Sequence, residues 1–208
     1  MPDTLLIPPI VAILTDFGQA DGYVGVMKGV ILGIARTAQV VDLTQEIPPQ
    51  DVATGAWVLH TLWRSFPAGT IFLCVVDPGV GSARLPIALK SGDAYFVGPD
   101  NGIFTYVLRD APIGEVVVLN NPRYQRANPS ATFHGRDIFA PAAGHLAAGI
   151  PLDQLGTLLS PEKLVRLALP EPRRVGDALL AHIVHVDHFG NLITDLCPAQ
   201  TDAVLADP

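Results

Sequence analysis

The sequence is poor in positive charge and contains no run of basic residues. Its 208 residues include 13 Lys and Arg against 20 Asp and Glu, which gives a formal net charge of −7. A protein that binds nucleic acid through the phosphate backbone needs a basic surface. The sequence therefore predicts that nucleic acid is not a partner.

Long apolar runs and cysteines are scarce as well. Residues 4–15 are uncharged, but Pro8 and Pro9 interrupt them, and a membrane-spanning helix needs roughly 20 apolar residues. No basic segment of the kind that opens an export signal precedes this stretch. We interpret Cys74 and Cys197, far apart in apolar surroundings, as buried thiols rather than as a disulfide framework. Together these features predict a cytoplasmic protein that has no membrane partner.

The abundance of hydrophobic residues, Gly and Pro indicates a folded chain of short secondary-structure elements. Hydrophobic residues make up 49% of the sequence, which is enough for a packed core. The 19 Gly and 19 Pro residues indicate many tight turns. The length is that of one domain, with or without a small appendage.

Short apolar runs alternate with helical patterns at the start of the chain. Residues 11–15, 39–43 and 70–76 are typical of strands buried on both faces, and helical spacing lies between them over 23–35 and 51–66. This alternation predicts an α/β fold with a parallel sheet and helices on both faces.

The rest of the first domain is predicted to contain a hairpin over residues 85–98, a short helix over 103–109, a strand over 115–119 and an Ala-rich helix over 137–150. Asp137 lies at the start of that last helix, where we interpret it as a cap. These elements would complete the covering of the sheet.

A cluster of Pro, Glu, Lys and Arg around residues 160–177 indicates a domain boundary. We predict an α/β domain over residues 1–165 and the start of a small β-rich domain over residues 175–208, broken at 187–191. About 30 residues are too few to bury a core alone. They are expected to pack on the first domain, on a neighbouring subunit or on further sequence.

Two loops at predicted strand ends begin with a carboxylate, Asp16 and Asp77. Ligands of parallel α/β sheets bind at the carboxyl ends of the strands, so these loops are predicted to border a ligand site. Arg84 follows Asp77 by seven residues, with Pro and Gly between them. The two side chains could form an ion pair, either as part of a site or as a structural link only.

Two further segments carry candidate site residues. His134 stands just before a predicted helix, a position typical of an exposed acid–base group, although a histidine bonded to the loop backbone is the other interpretation. Phe189 and Asn191 flank one glycine, where they could stack on and bond to a planar heterocycle. A plain β-turn explains that second pair equally well.

Three histidines, His182, His185 and His188, have a spacing that resembles metal ligands. On a strand, residues three apart point to opposite faces of the sheet. We therefore predict no metal site and keep a zinc hydrolase as an alternative, which metal analysis would decide.

Six ordered segments resemble one family: ILTDFGQADGYVGVMKGVI, EIPPQDVATGAWVL, FLCVVDPGVGSAR, YFVGPDNGIFT, ATFHGRDIFAPAAGHLAAG and VDHFGNLITD. Their order and their residues resemble those of the S-adenosyl-L-methionine (SAM) hydroxide adenosyltransferases, which are relatives of the SAM-dependent fluorinase and chlorinase. The resemblance runs from about Val11 to Asp195. It implies hydrolysis of SAM to adenosine and L-methionine without a cofactor, because the sulfonium leaves as a neutral thioether.

The resemblance also implies roles for particular residues. An Asp–Arg–His set is associated with the attacking water in the family, and Asp77, Arg84 and His134 match it here. His134 would orient or deprotonate the nucleophile, Arg84 would stabilise its hydroxide character, and Asp77 would hold both. The matching substrate contacts are Asp16 for the ribose hydroxyls, Thr132 and Phe133 for the sugar and reacting centre, and Asp187, Phe189 and Asn191 for the methionine amino group and adenine.

The halogenating relatives have aromatic and small hydroxyl residues in place of Asp77 and His134. A carboxylate at position 77 would repel a halide, so the resemblance favours a hydrolase over a SAM-dependent halogenase. A SAM- or adenosine-binding protein without catalysis is the other alternative. The family further implies a homotrimer with sites between subunits, and its members usually continue past Asp195 for some tens of residues. Since this sequence ends at Pro208, we expect an incomplete second domain.

Overall fold

The structure is a computed structural model that describes residues 8–176 and 178–196. It divides into two units, residues 1–167 and residues 168–208. The strands are β1 Ile10–Thr15, β2 Gln39–Thr44, β3 Ile71–Val75, β4 Pro86–Ser91, β5 Ala94–Pro99, β6 Ile113–Val118, β7 Thr157–Leu158, β8 Arg173–Val175, β9 Ala178–Leu180, β10 Ile183–Val186 and β11 Leu192–Thr194. The helices are α1 Tyr23–Ile34, α2 Val52–Leu62, α3 Thr105–Asp110 and α4 Ala140–Ala147, with a π-helical turn at Gly135–Phe139 and 3₁₀-helices at Trp63–Ser65, Pro122–Tyr124, Leu152–Leu155 and Pro161–Lys163.

The first unit is built on a 7-stranded sheet in the order β2-β1-β3-β5-β4-β6-β7. Strands β2, β1, β3 and β5 pair in parallel, whereas β4 is antiparallel to both β5 and β6. The predicted α/β fold is confirmed. The sheet is mixed rather than wholly parallel, because the β4–β5 hairpin reverses the chain direction.

Helices cover both faces of this sheet, as the uninterrupted apolar character of β1 predicts. Val11 and Ile13 belong to a core with residues of α1 and α4, whereas Ala12 and Leu14 belong to a core with residues of α2 and α3. Successive side chains of a strand point to opposite faces, so one strand supplies both cores.

This topology brings two loops to one edge of the sheet. Strands β1 and β3 are parallel neighbours, with Thr15 paired to Val75. The loops that start at Asp16 and Asp77 therefore leave the sheet side by side at its carboxyl edge.

The start of the last large helix differs from the prediction. The chain forms a π-helical turn over Gly135–Phe139 before α4 begins. Asp137 lies inside this turn, and its carboxylate accepts a hydrogen bond from the backbone N–H of Ser130 at 2.9 Å. The interpretation of Asp137 as a helix cap is therefore wrong. Asp51, in contrast, caps α2 by accepting from Thr54 N at 2.9 Å.

The second unit contains two small antiparallel pairs of strands, β8–β9 and β10–β11. Asp195 accepts from the backbone N–H of His182 at 2.9 Å, and its other oxygen lies 2.8 Å from the Nδ1 atom of the same residue. These contacts close the β10–β11 hairpin. The β-rich character predicted for this part of the chain is confirmed.

Cys74 lies in β3 and is fully buried with a free thiol, whereas Cys197 lies outside the described residues. Burial raises the pKa of the Cys74 thiol well above its usual range, so the reactive thiolate does not form. Within residues 8–176 and 178–196, no helix has both the length and the apolar character required to cross a bilayer.

Candidate active site

Asp77 and Arg84 form a buried ion pair at the carboxyl end of β3. The Arg84 Nε atom donates to both Asp77 oxygens, at 2.9 and 3.0 Å, and Arg84 Nη2 also donates to Oδ2. The side chains are only 5% (Asp77) and 9% (Arg84) exposed. A guanidinium held in this forked way has one orientation. The ion pair predicted from the spacing is present.

The same guanidinium contacts His134. The Arg84 Nη2 atom lies 2.8 Å from His134 Nδ1. Arginine can only donate hydrogen bonds, so Nδ1 must accept and the ring proton must lie on Nε2. A charged imidazole would donate from both nitrogens and could not accept this bond.

Electrostatics agree with a neutral His134. Burial and the positive charge of Arg84 lower the pKa of His134, against the opposing negative charges of Asp77 and Asp137. The imidazole is therefore neutral at pH 7, and its Nε2–H is a hydrogen-bond donor. Asp77, Arg84 and His134 thus form one connected group that presents donors, which suits an anionic oxygen.

The loop of Asp77 and the loop of His134 touch at Gly81. Gly81 has a positive φ of 76°, and a Cβ atom built on it would lie 2.5 Å from the backbone oxygen of Ala131. Only a glycine lets these backbones approach so closely. This contact brings Arg84 within reach of His134.

Phe133 packs in an aromatic group with Phe17 and Tyr23. The ring centroids are 5.4 to 6.2 Å apart, and all three pairs are edge to face. Thr132, the preceding residue, is exposed and donates its backbone N–H to Ser130 Oγ at 3.2 Å. The structure therefore places Thr132 and Phe133 on the same short segment as His134.

Asp16 is oriented by a backbone group of a distant residue. Its Oδ2 atom accepts from the Gln50 N–H at 2.7 Å. Gln50 has a positive φ of 66°, which is uncommon for a residue other than glycine. This left-handed residue turns its N–H toward Asp16 just before α2 begins.

We expect Gln50→Val to lower the free energy of unfolding by about 1–2 kcal/mol, because a β-branched residue is strained at positive φ. Gln50→Gly should leave stability unchanged or raise it slightly, since glycine adopts this φ without strain. Urea unfolding measures both. Gln39→Val, at an exposed strand position, is the control and should have little effect. Equal stabilities of the valine and glycine variants at position 50 would contradict the left-handed conformation.

The three predicted residues of the second unit lie in one turn between β10 and β11. Asp187 Oδ1 accepts from Phe189 N at 2.9 Å and from Asn191 N at 2.8 Å, and Oδ2 accepts from Asn191 Nδ2 at 2.6 Å. The Phe189 ring is 86% exposed. The turn is thus built by Asp187 and Asn191 and presents Phe189. Their contact with a substrate stays a prediction.

Gly81 and Gln50 were not among the site residues that the sequence predicted. The pair of glycines in the loop after β3 was a visible signal for a close approach of backbones. No sequence pattern marks Gln50, because its conformation depends on Asp16, 34 residues away.

Comparison with known proteins decides the family. A family model described as the SAM hydroxide adenosyltransferase N-terminal domain matches residues 11–156, which is more than half of the chain. The chain belongs to the SAM hydroxide adenosyltransferase family. The resemblance inferred from the six segments is therefore confirmed.

Individual members of the SAM hydroxide adenosyltransferase family and its relatives align over most of the chain. An (R)-S-adenosyl-L-methionine hydrolase from Salinispora tropica is 46% identical over 187 residues, which cover 88% of this chain and 70% of that protein. A fluorinase from Actinoplanes sp. is 32% identical over 213 residues, which cover 90% of this chain and 71% of that protein. The crystal structure of an uncharacterized conserved protein from Thermotoga maritima superposes with a TM-score of 0.89 at 38% identity. The match covers 95% of this chain and 75% of that protein.

Proposed function

We propose that this protein hydrolyses SAM to adenosine and L-methionine. The observation that carries the proposal is the contact of Arg84 with both Asp77 and His134, which leaves a neutral imidazole with a donor at Nε2. The higher identity to a protein named as a SAM hydrolase than to one named as a fluorinase supports the same choice.

In the proposed reaction the nucleophile is a hydroxide held by donors. His134 cannot take a proton from water in this arrangement, since Nδ1 accepts from Arg84 and Nε2 already carries the ring proton. The Nε2–H and the guanidinium instead stabilise a hydroxide whose lost proton resides in solvent. The Arg84 Cζ atom also lies 5.1 Å from the centre of the Phe139 ring, so the guanidinium packs against an aromatic face.

The hydroxide oxygen then bonds to ribose C5′, and the C5′–S bond breaks with its electron pair passing to sulfur. The sulfonium becomes the neutral thioether of methionine, so the leaving group needs neither a proton nor a metal. We propose that no cofactor takes part. The contribution of the protein is to align the nucleophile with the C5′–S bond and to exclude other water.

Substrate contacts are proposed for six further residues. Asp16 would hold the ribose hydroxyls in the direction that Gln50 sets, and Thr132 and Phe133 would border the sugar and C5′. The turn of Asp187, Phe189 and Asn191 would contact the methionine amino group and adenine, with Phe189 as the exposed stacking surface.

We propose a homotrimer whose sites lie at subunit interfaces. Helix α1 supports self-association, because it exposes the apolar side chains of Tyr23, Val26 and Leu32. Light scattering should give three times the mass of the chain at micromolar concentration, and a monomeric mass would contradict the assembly. We place the protein in the cytoplasm, where the free thiol of Cys74 is stable.

The test of the reaction is chromatography of SAM incubated with the protein, in buffers with and without chloride. We expect adenosine and methionine in both, and in ¹⁸O-labelled water the label should enter the 5′-hydroxyl of adenosine. His134→Gln should abolish turnover, whereas His60→Gln, on helix α2, is the control that should retain it. A 5′-chlorinated nucleoside would indicate the halogenase instead, and binding without turnover would indicate a binding protein.

The activity is expected to depend on the protonation of His134. Its pKa lies below the ordinary value of 6.5, so the neutral form that accepts from Arg84 persists throughout the neutral range. Protonation of Nδ1, which breaks the contact, should therefore lower activity only as the pH drops through that lowered pKa. A profile of kcat/KM against pH measures this acid limb. An NMR titration that gave His134 a pKa above 6.5 would contradict the assignment.

A further inference from the structure

The carboxylate of Asp137 lies next to the proposed site but is not part of it. Only 2% of its side chain is exposed. Oδ1 accepts from Arg136 Nε at 2.7 Å, and Oδ2 accepts from Arg136 Nη2 at 2.8 Å and from Ser130 N at 2.9 Å. A second cation, Arg126, approaches Oδ1 at 3.8 Å. Both oxygens are thus engaged by the protein itself.

The groups that Asp137 binds each hold a residue of the segment 132–134. Ser130 Oγ accepts the Thr132 N–H at 3.2 Å and lies 3.2 Å from Thr132 Oγ1. The guanidinium of Arg136 lies 5.0 Å from the centre of the Phe133 ring. The buried carboxylate is therefore joined to both residues that precede His134.

The backbone at Asp137 has an unusual form that is consistent with such a role. Residues Gly135–Phe139 form a π-helical turn. Turns of this kind are rare and occur frequently at functional sites. The turn directs the Asp137 side chain back toward Ser130 rather than leaving it at a helix end.

We propose that Asp137 is a positioning residue, which places Thr132, Phe133 and His134 for the reaction through its bonds to Ser130 and Arg136. The inference rests on the proposed hydrolysis of SAM, and it adds a residue that touches neither substrate nor nucleophile. A carboxylate that served the fold alone would affect stability and leave the site unchanged. The two roles therefore differ in what they predict for His134.

Asp137 acts on His134 through its negative charge as well as through its hydrogen bonds to Ser130 and Arg136. Four influences act on the imidazole: burial and Arg84 lower its pKa, and Asp77 and Asp137 raise it. Loss of the negative charge at position 137 removes one of the two raising influences. The pKa of His134 should then fall further.

The experiment is the substitution Asp137→Asn in the full chain. Asparagine keeps the size and can still accept from Ser130 N, but it cannot bind a guanidinium as a forked anion. We expect kcat to fall by about 10- to 100-fold, the range for a small misplacement of reacting groups, with a smaller change in KM. The acid limb of kcat/KM should move to lower pH, and a ¹H–¹³C NMR titration of the histidine rings should show a lower pKa for His134.

Asp110→Asn is the matched control, since Asp110 also binds an arginine, accepting from Arg109 Nε at 2.9 Å. It lies at the end of α3, which packs in the core on the other face of the sheet. This variant should keep both kcat and the His134 titration of the unmodified protein. If Asp137→Asn does not fold, Arg136→Gln tests the same link, because that side chain is partly exposed and Asp137 remains. It should lower kcat several-fold without a comparable change in KM.

A folded Asp137→Asn protein with unchanged kcat and an unchanged His134 titration would overturn the proposal. So would an Arg136→Gln protein of full activity. The NMR titration separates the two inferences, since it needs no turnover. Should the unmodified protein fail to hydrolyse SAM, the proposed function is wrong, whereas an unshifted His134 pKa in Asp137→Asn overturns the link from Asp137 to His134 by itself.

Discussion

Replacing Arg84 with lysine is expected to lower kcat for SAM hydrolysis by about 10²–10³-fold, the loss typical of a donor that stabilises a developing or bound anion. Lysine can pair with Asp77 as a point charge. It cannot bond at the same time to both carboxylate oxygens and to His134 Nδ1, as the planar guanidinium does. With Nδ1 released, His134 is no longer restricted to one tautomer. KM should change much less than kcat.

Arg109→Lys is the control for this exchange. Arg109 also donates to a neighbouring carboxylate, that of Asp110, at 2.9 Å, but from an exposed position on α3. It should retain full kcat. Thermal unfolding of both variants would establish that they fold, and a folded Arg84→Lys protein with unchanged kcat would exclude the guanidinium from the reaction.

Adding a single methyl group at Gly81 should have an effect of similar size. In Gly81→Ala the new Cβ would lie 2.5 Å from the Ala131 oxygen, so the loop of Arg84 and the loop of His134 must move apart. A displacement of about 1 Å between reacting groups can cost on the order of 100-fold in rate. We expect kcat/KM to fall by about that factor, measured by the release of adenosine.

Gly149→Ala isolates the backbone strain from the steric contact. Gly149 has a similar positive φ of 84°, but a Cβ there meets nothing within 4 Å. Both variants should lose about 1–2 kcal/mol of stability from strain at positive φ, and only Gly81→Ala should lose activity. Equal activities of the two would show that the contact of Gly81 with Ala131 does not hold the site together.

The parts of the fold that the sequence predicted are those with a regular apolar pattern. Residues 11–15 and 70–76 are apolar without interruption because their strands are covered on both faces. The π-helical turn at Gly135–Phe139 has no such pattern, since a single turn is too short to establish a period. The sequence therefore predicts a helix cap at Asp137, whereas its actual partners, Ser130 and Arg136, are set by tertiary packing.

The site shows the same division between local and distant information. The pairing of Asp77 with Arg84 could be predicted from their spacing of seven positions and the Pro- and Gly-containing loop between them. The contact of Arg84 with His134 spans 50 positions, and only the family resemblance placed these two residues in one set. The hydrogen bond from the Gln50 N–H to Asp16 could not be predicted from the sequence, because the positive φ of Gln50 exists only when β1 and α2 are in place.

The distance along the chain between the two halves of the site has a consequence for the order of folding. The four parallel strands, β2, β1, β3 and β5, are complete by Pro99. The site needs the segment that carries His134 to dock on the loop of Gly81 afterwards, at the entropic cost of closing a long loop. A chain emerging from the ribosome can thus assemble the parallel part of its sheet while the contact of Arg84 with His134 has not yet formed. Substrate cannot guide that early stage, and it can stabilise only the last one.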